Sequence, residues 1–180
     1  LYKMNSNSTM MNLLNLPLEN VMQVTYVWVG GNKELRAKSR TMPKKDYKVS
    51  ELPEWDYDGS STEQATGESS EVIIKPQAIF KDPFRKDGLL VLCDTYLPSG
   101  EPHPTNKRYD AVKNFNQAPE EESWWGIEQE FFLMKKGTKT PVGFPDNGFP
   151  APQGQYYCSV GASNCVGRNV LECFYRASLY

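Results

Sequence analysis

Residues 25–42, T-Y-V-W-V-G-G-N-K-E-L-R-A-K-S-R-T-M, constrain the fold more tightly than any other part of this chain. A run of β-branched and aromatic residues meets G-G-N turn chemistry, then apolar and basic positions alternate. That is the pattern of a β-hairpin with one solvated face. Strand-like segments return at 72–74 (V-I-I) and at 89–96 (L-L-V-L-C-D-T-Y), the second apolar enough to be buried on both faces. Between them, 43–70 is irregular, and 97–108 is a Pro-rich connection that marks a domain boundary. Residues 13–23 read as a short amphipathic helix started or interrupted by Pro17. Further helices are expected over 107–122 and over 167–180, the last with Val170, Phe174 and Ala177 or Ser178 on one stripe. With 180 residues, 39% of them hydrophobic, the chain can bury a real core, as one large domain or as a small domain and part of another.

Several classes of function are disfavoured. The net charge is −2 and the basic residues are scattered, which gives no electrostatic case for nucleic acid. No apolar run approaches the roughly 20 residues that cross a bilayer. The polar leader over 1–12 lacks the basic start and continuous apolar stretch of a secretion signal, and the arginines of a transit peptide. Cys93, Cys158, Cys165 and Cys173 form no C-x-x-C pair and sit among apolar neighbours, which reads as buried reduced thiols in a reducing compartment. The sequon Asn7-Ser8-Thr9 is then a chance match. A single histidine, His103, between prolines in a loop, leaves little room for His-rich metal sites or His-based triads.

Three stretches carry chemistry. In W-W-G-I-E-Q-E-F-F (124–132), Glu128 and Glu130 are two apart, so on a strand they share one face, about 6–7 Å apart. Side by side they repel, and burial without a partner would cost several kcal/mol. Either a hard divalent cation, Mg²⁺ or Mn²⁺, lies between them, or the face is solvated or paired with Lys and Arg. In E-W-D-Y-D-G-S-S-T (54–62), Asp58-Gly59 is a turn signal. Ser60, Ser61 and Thr62 can cap a helix or bind an anion, and the Asp can bind a cation, take a proton, or only shape the turn. Trp55 and Tyr57 flank it. In G-F-P-A-P-Q-G-Q-Y-Y-C (148–158), prolines fix the backbone, glycines permit close approach and aromatics offer stacking faces. A ligand-cradling loop and a structural loop both fit, although G-K-[ST] is absent.

Taken in order, L-P-E-W-D-Y-D-G-S-S-T, P-Q-A-I-F-K-D-P-F-R, P-T-N-K-R, W-W-G-I-E-Q-E and G-F-P-A-P-Q-G-Q-Y-Y-C resemble eukaryotic-type glutamine synthetase, the plant cytosolic form most of all, from about residue 20 onward. The resemblance implies an α+β chain: a flexible leader over 1–14, a β-grasp domain over 15–105, and the start of the α/β catalytic domain over 106–180. It implies ATP-dependent ligation of ammonium to glutamate through γ-glutamyl phosphate, in the cytoplasm, with Mg²⁺ or Mn²⁺. By the motif match Glu130 binds the metal on the glutamate side and Glu128 the metal bridging the ATP phosphates. Trp124 lies against the adenine. Asp58, helped by Ser61, forms part of the ammonium site and deprotonates ammonium. The loop holding Gly148, Pro152, Gln153 and Tyr157 builds the nucleotide side. The family's Asp-Gly-Ser-Ser turn reaches a neighbouring subunit's site within a homo-oligomer, a decamer of two pentameric rings.

The chain departs from the family pattern at Ser159 (Gly in the family), Ser163 and Asn169 (Asp) and Tyr109 (His). The loss of Gly before Val160 is expected to crowd the nucleotide loop. The family's further metal-binding and phosphate-binding residues lie beyond Tyr180, so a truncated chain, inactive alone, is expected. The alternative is a non-catalytic subunit that joins full-length rings and modulates them.

Overall fold

A computed structural model describes residues 12–145 and 148–180. The sequon and all but the end of the expected leader lie outside them. The chain forms two compact units, one extending to Glu122 and the other from Ser123 to Tyr180.

The first unit is built on the hairpin. β1 (Val21–Val29) and β2 (Leu35–Pro43) pair antiparallel from Val21↔Pro43 to Val29↔Leu35. β1 begins earlier than the sequence suggests. Val21–Gln23 pair with Thr41–Pro43, so the expected helix over 13–23 gives way, and among the described residues of this segment only 12–14 are helical. Ladder hydrogen bonds for three backbone units outweigh a weak local helical preference. β3 (Trp55–Asp58), β4 (Glu71–Lys81) and β5 (Leu89–Tyr96) complete a five-stranded mixed sheet in the order β2-β1-β5-β4-β3. β5 runs parallel to β1 and antiparallel to β4.

Met22, Val24, Tyr26 and Trp28 alternate along β1 onto one buried face, where they meet Tyr57, Val72, Ile74, Val91 and Cys93. Period-2 burial of this kind holds the register, since a one-residue slip would turn the whole set outward. The sheet is curled. Tyr26 of β1 packs edge-on against Trp55 of β3 at 5.6 Å although two strands lie between β1 and β3. Lys38 of β2 sits 3.6 Å over the Trp55 ring and donates to the Asp56 carbonyl. β5 is the middle strand, but Leu92 remains 37% exposed, so the expected burial on both faces holds only in part.

On the outer face, a register shift between Pro76 and Ala78 frees Gln77 from the ladder. Gln77 donates to Asp94 (2.7 Å) and accepts from Arg108 (3.0 Å) on α1 (Lys107–Phe115). Asn106 caps that helix, accepting from the Tyr109 amide and donating to the Thr95 carbonyl. α1 ends at Phe115, and only a short 3₁₀ turn at Pro119–Glu121 follows where the helix was expected to continue to 122.

The second unit holds α2 (Arg168–Leu179), a 3₁₀ turn at Gln153–Gln155 and an isolated bridge between Met134 and Pro141. None of its described residues is buried.

Candidate functional site

Asp58 ends β3 and caps a 3₁₀ turn over Gly59–Thr62. Its Oδ1 accepts from the Ser60 amide (3.0 Å) and the Ser60 hydroxyl (2.6 Å), and its Oδ2 accepts from the Ser61 hydroxyl (3.1 Å). The Ser60 side-chain and backbone bonds, chiefly, hold the Asp58 carboxyl below its ordinary range, with a smaller contribution from Ser61. Asp58, Ser60 and Ser61 are exposed. The base of the turn is not. Gly59, Thr62 and Gln64 are buried, and Gly59 O accepts from the amides of Gln64 (2.9 Å) and Ala65 (3.1 Å). Gly31 in the hairpin loop donates its amide to Thr62 O at 3.0 Å. A Cβ there would lie 2.6 Å from Thr62 O and 2.8 Å from Glu63 O, so the close approach requires glycine. The turn is an exposed acidic tip on a rigid base: the Ser60 and Ser61 hydroxyls serve the carboxylate, and the Thr62 hydroxyl is spent within the base.

The expectation of a strand at Glu128 and Glu130 is corrected. Residues 123–133 have no regular structure, and both carboxylates are exposed. A strand needs a neighbour to take its N–H and C=O groups, and the described residues of this unit offer one only at the Met134–Pro141 bridge. The stretch is tied down differently. Phe131 packs edge-on against Phe174 of α2 at 5.7 Å, and Val142 N donates to Leu133 O at 2.6 Å. Among the described residues neither acid has a Lys or Arg partner within ion-pairing distance.

Glu130 lines a cavity of about 430 Å³ with Phe131, Leu133, Cys165, Arg168 and Leu171. A second cavity of about 400 Å³, mostly apolar, is walled by Phe132, Phe144, Pro150, Gln153, Tyr156 and Val166. Gln153 is therefore on a concave surface. Trp124 (96% exposed), Tyr157, Gly148, Pro152 and Glu128 are all exposed and line neither cavity. Ser159 is accommodated without crowding, its hydroxyl donating to Asn164 O at 3.2 Å. The donor chemistry of Glu128 and Glu130 fits Mg²⁺ or Mn²⁺, but no group of three or more His, Cys, Asp or Glu among the described residues could hold a metal ion.

The cysteines are free, as expected, but only Cys93 is buried, its thiol pushed up to about 12 by burial. Cys158 and Cys173 are exposed and Cys165 is half-buried, because the second unit has no interior to receive them. His103 lies in a loop as expected, yet it is only 5% exposed. Sequence reasoning passed over Gln64, whose side-chain amide bonds Val29 at the end of β1, Tyr57 in β3, Thr62 in the 3₁₀ turn and Thr105 in the loop before α1. Nothing in S-T-E-Q-A-T singles it out.

No protein-family profile matches the chain. Similarity to individual proteins is extensive. Glutamine synthetase cytosolic isozyme 1-5 of Arabidopsis thaliana is 51% identical over 179 residues, 96% of this chain and 51% of that protein. Glutamine synthetase root isozyme 4 of Zea mays is 53% identical over 176 residues, 93% of this chain and 49% of its own length. Glutamine synthetase PR-1 of Phaseolus vulgaris is 51% identical over 180 residues, with 96% and 51% covered. A glutamine synthetase of Plasmodium falciparum solved by cryoEM aligns with a TM-score of 0.39 and 15% identity over 67% of this chain and 24% of that one, a likeness too slight to carry an argument. No helix among the described residues is long and apolar enough to cross a membrane. The chain spans about half the length of the curated relatives it matches, and over nearly all of its own length it is a homologue of the plant glutamine synthetases, cytosolic isozymes among them.

Proposed function

We propose that this chain contributes an ammonium-binding turn and two metal-binding carboxylates to a glutamine synthetase centre. The observation that carries the reading is Asp58, an ionised carboxylate braced by Ser60 and Ser61 at the exposed tip of an anchored turn. In the reaction, the γ-phosphoryl group of ATP passes to the γ-carboxylate oxygen of glutamate, leaving ADP and an acyl phosphate. Ammonia nitrogen then attacks the acyl carbon, the C–O bond to phosphate breaks, and phosphate leaves with the proton that the new amide nitrogen gives up.

Asp58 attracts ammonium by charge. The bonds that lower its pKa favour holding a cation and oppose taking its proton. Deprotonation of ammonium by Asp58 therefore requires that the closed site first be drained of water, which raises the carboxylate's basicity. Glu130 and Glu128 present carboxylate oxygens for Mg²⁺ or Mn²⁺, which neutralises charge on phosphate oxygens when bound. Trp124 offers a fully exposed ring for stacking on adenine, and the loop carrying Gly148, Pro152, Gln153 and Tyr157 flanks the nucleotide. The exposure of the Asp58 turn suits its insertion into a neighbouring subunit's site, within two stacked pentameric rings in the cytosol. The antiparallel β1–β2 hairpin and parallel β1–β5 pair support a β-grasp domain over 15–105. On the same reading 106–180 opens the catalytic domain, with α1 in contact with the first unit, which extends to Glu122.

A second reading is favoured by the lack, among the described residues, of any three-ligand metal cluster. In it the chain joins full-length rings as a non-catalytic subunit. The deciding experiment measures phosphate release from ATP dependent on glutamate and ammonium, with Mg²⁺ or Mn²⁺. The chain alone is expected to show none, and to co-elute in rings when co-expressed with full-length plant glutamine synthetase. Turnover by the chain alone would sink the need for completion by other residues. Failure to co-elute would sink ring assembly.

A further inference from the structure

We propose that Gln64, Thr105 and His103 form a relay of positioning residues that holds the turn presenting Asp58 and Ser61. The proposal rests on the reading of Asp58 as the ammonium-binding carboxylate and deepens it.

The direction of every bond in the relay is determined by chemistry. His103 Nε2 lies 2.6 Å from the Gln64 carbonyl, which can only accept, so Nε2 carries the proton. His103 Nδ1 is then an acceptor, facing the Thr105 hydroxyl at 2.8 Å and the Thr105 amide at 3.2 Å. With its hydrogen spent on Nδ1, Thr105 Oγ1 accepts from Gln64 Nε2 at 2.8 Å. The same Nε2 faces the Val29 carbonyl at 3.4 Å, and a flipped amide would set two oxygens against each other there. Gln64 Oε1 accepts from the Tyr57 hydroxyl (2.5 Å) and the Thr62 hydroxyl (2.8 Å).

Gln64 and His103 are 8% and 5% exposed, so water does not readily replace a lost partner. The backbone of Gln64 closes the turn through its amide on Gly59 O, one residue from Asp58. Thr105 and His103 thus act on a carboxylate they do not touch. They fix the main chain that Ser60 and Ser61 use to brace it.

The test uses the whole chain labelled for NMR. Thr105→Val keeps the shape of the side chain and removes the hydroxyl, and Thr105→Ser restores it. Gln64→Glu keeps the acceptor and removes both amide donors. Amide exchange at Gln64 and Ala65 is expected to quicken roughly ten- to a hundredfold in Thr105→Val and Gln64→Glu, the scale of one stranded buried hydrogen bond. Exchange at Val24 and Tyr26 in β1 is expected to stay unchanged. The Asp58 carboxyl carbon, followed by pH titration, is expected to move up toward the ordinary aspartate range in both variants and to return in Thr105→Ser. Unchanged exchange and titration in both variants would overturn the relay, whatever Asp58 binds. Ammonium dependence tests the other claim separately, in rings co-assembled with full-length subunits. If Asp58→Ala in this chain leaves their KM for ammonium unchanged, its assignment as the ammonium site falls, while the relay is still judged by exchange and titration.

Discussion

Trp28 and Tyr57 stack with ring centroids 4.6 Å apart and planes inclined by 29°, although β5 and β4 separate their strands in the sheet. Only a curled sheet brings them together. The stack closes the core beside the Asp58 turn. Trp28→Ala is expected to cost about 3–5 kcal/mol, as for other large-to-small changes in a packed core. Urea denaturation followed by far-UV circular dichroism measures it, and a loss below about 1 kcal/mol would mean the two rings do not carry the core.

Gly31→Ala sets a methyl against two backbone carbonyls that cannot swing aside. Overpacking of this kind costs about 1–3 kcal/mol. The backbone at Gly31 is not in the left-handed region, so the cost is steric and scales with side-chain size. A series of Ala, Ser and Val at this position, ranked by denaturation midpoint, is expected to fall in that order of volume.

Asp58 has a folded-state pKa below its unfolded one, so its ionisation stabilises the turn at pH values above the unfolded pKa. That contribution fades as the pH falls through the lower, folded value. Asp58→Asn removes the effect, and its stability profile is expected to be flatter than wild type on the acid side and parallel to it above about pH 5. Thermal melts between pH 2 and 7 give the comparison.

Cys93, with its thiol pushed up to about 12, stays protonated at pH 8 and is shielded by burial, whereas Cys158 and Cys173 are open to reagent. Iodoacetamide labelling of the native chain, mapped by mass spectrometry, is expected to modify Cys158 and Cys173 and spare Cys93 until denaturant is added. The sign also extends to stability. The unfolded thiol ionises first, so stability falls as the pH rises above the ordinary thiol range of about 8.5.

Glu128 and Glu130 are exposed and lack ion-pair partners among the described residues, so Glu128→Ala and Glu130→Ala are expected to leave stability within about 0.5 kcal/mol of wild type. On the proposed metal role, their effect falls on metal binding instead. Mn²⁺ titration followed by electron paramagnetic resonance is expected to show weak binding to the chain and weaker binding to each variant. Equal binding in all three would remove the two acids from the metal site.

The hairpin was legible because its signals are local: β-branched residues, a G-G-N turn and alternation all lie within 25–42. The turn at Asp58 was legible for the same reason. Val21–Gln23 were misread because their strand pairing depends on Thr41–Pro43, some twenty residues away. The strand expected at Glu128 failed in the opposite sense, since its residues favour extension but no described neighbour pairs with it. His103 could be placed in a loop from its flanking prolines. Its burial depends on the carbonyl of Gln64, 39 residues distant, which no local pattern announces.

In a flat sheet β2 and β3 would be the two free edges, each offering unpaired backbone groups to any extended chain. Here they face one another, with Lys38 reaching from β2 to the Asp56 carbonyl and Trp55 lying beneath it. One lysine thereby occupies a backbone acceptor that a foreign strand would need. A strand adding at β3 would first have to displace that lysine, and would set its backbone against a charge.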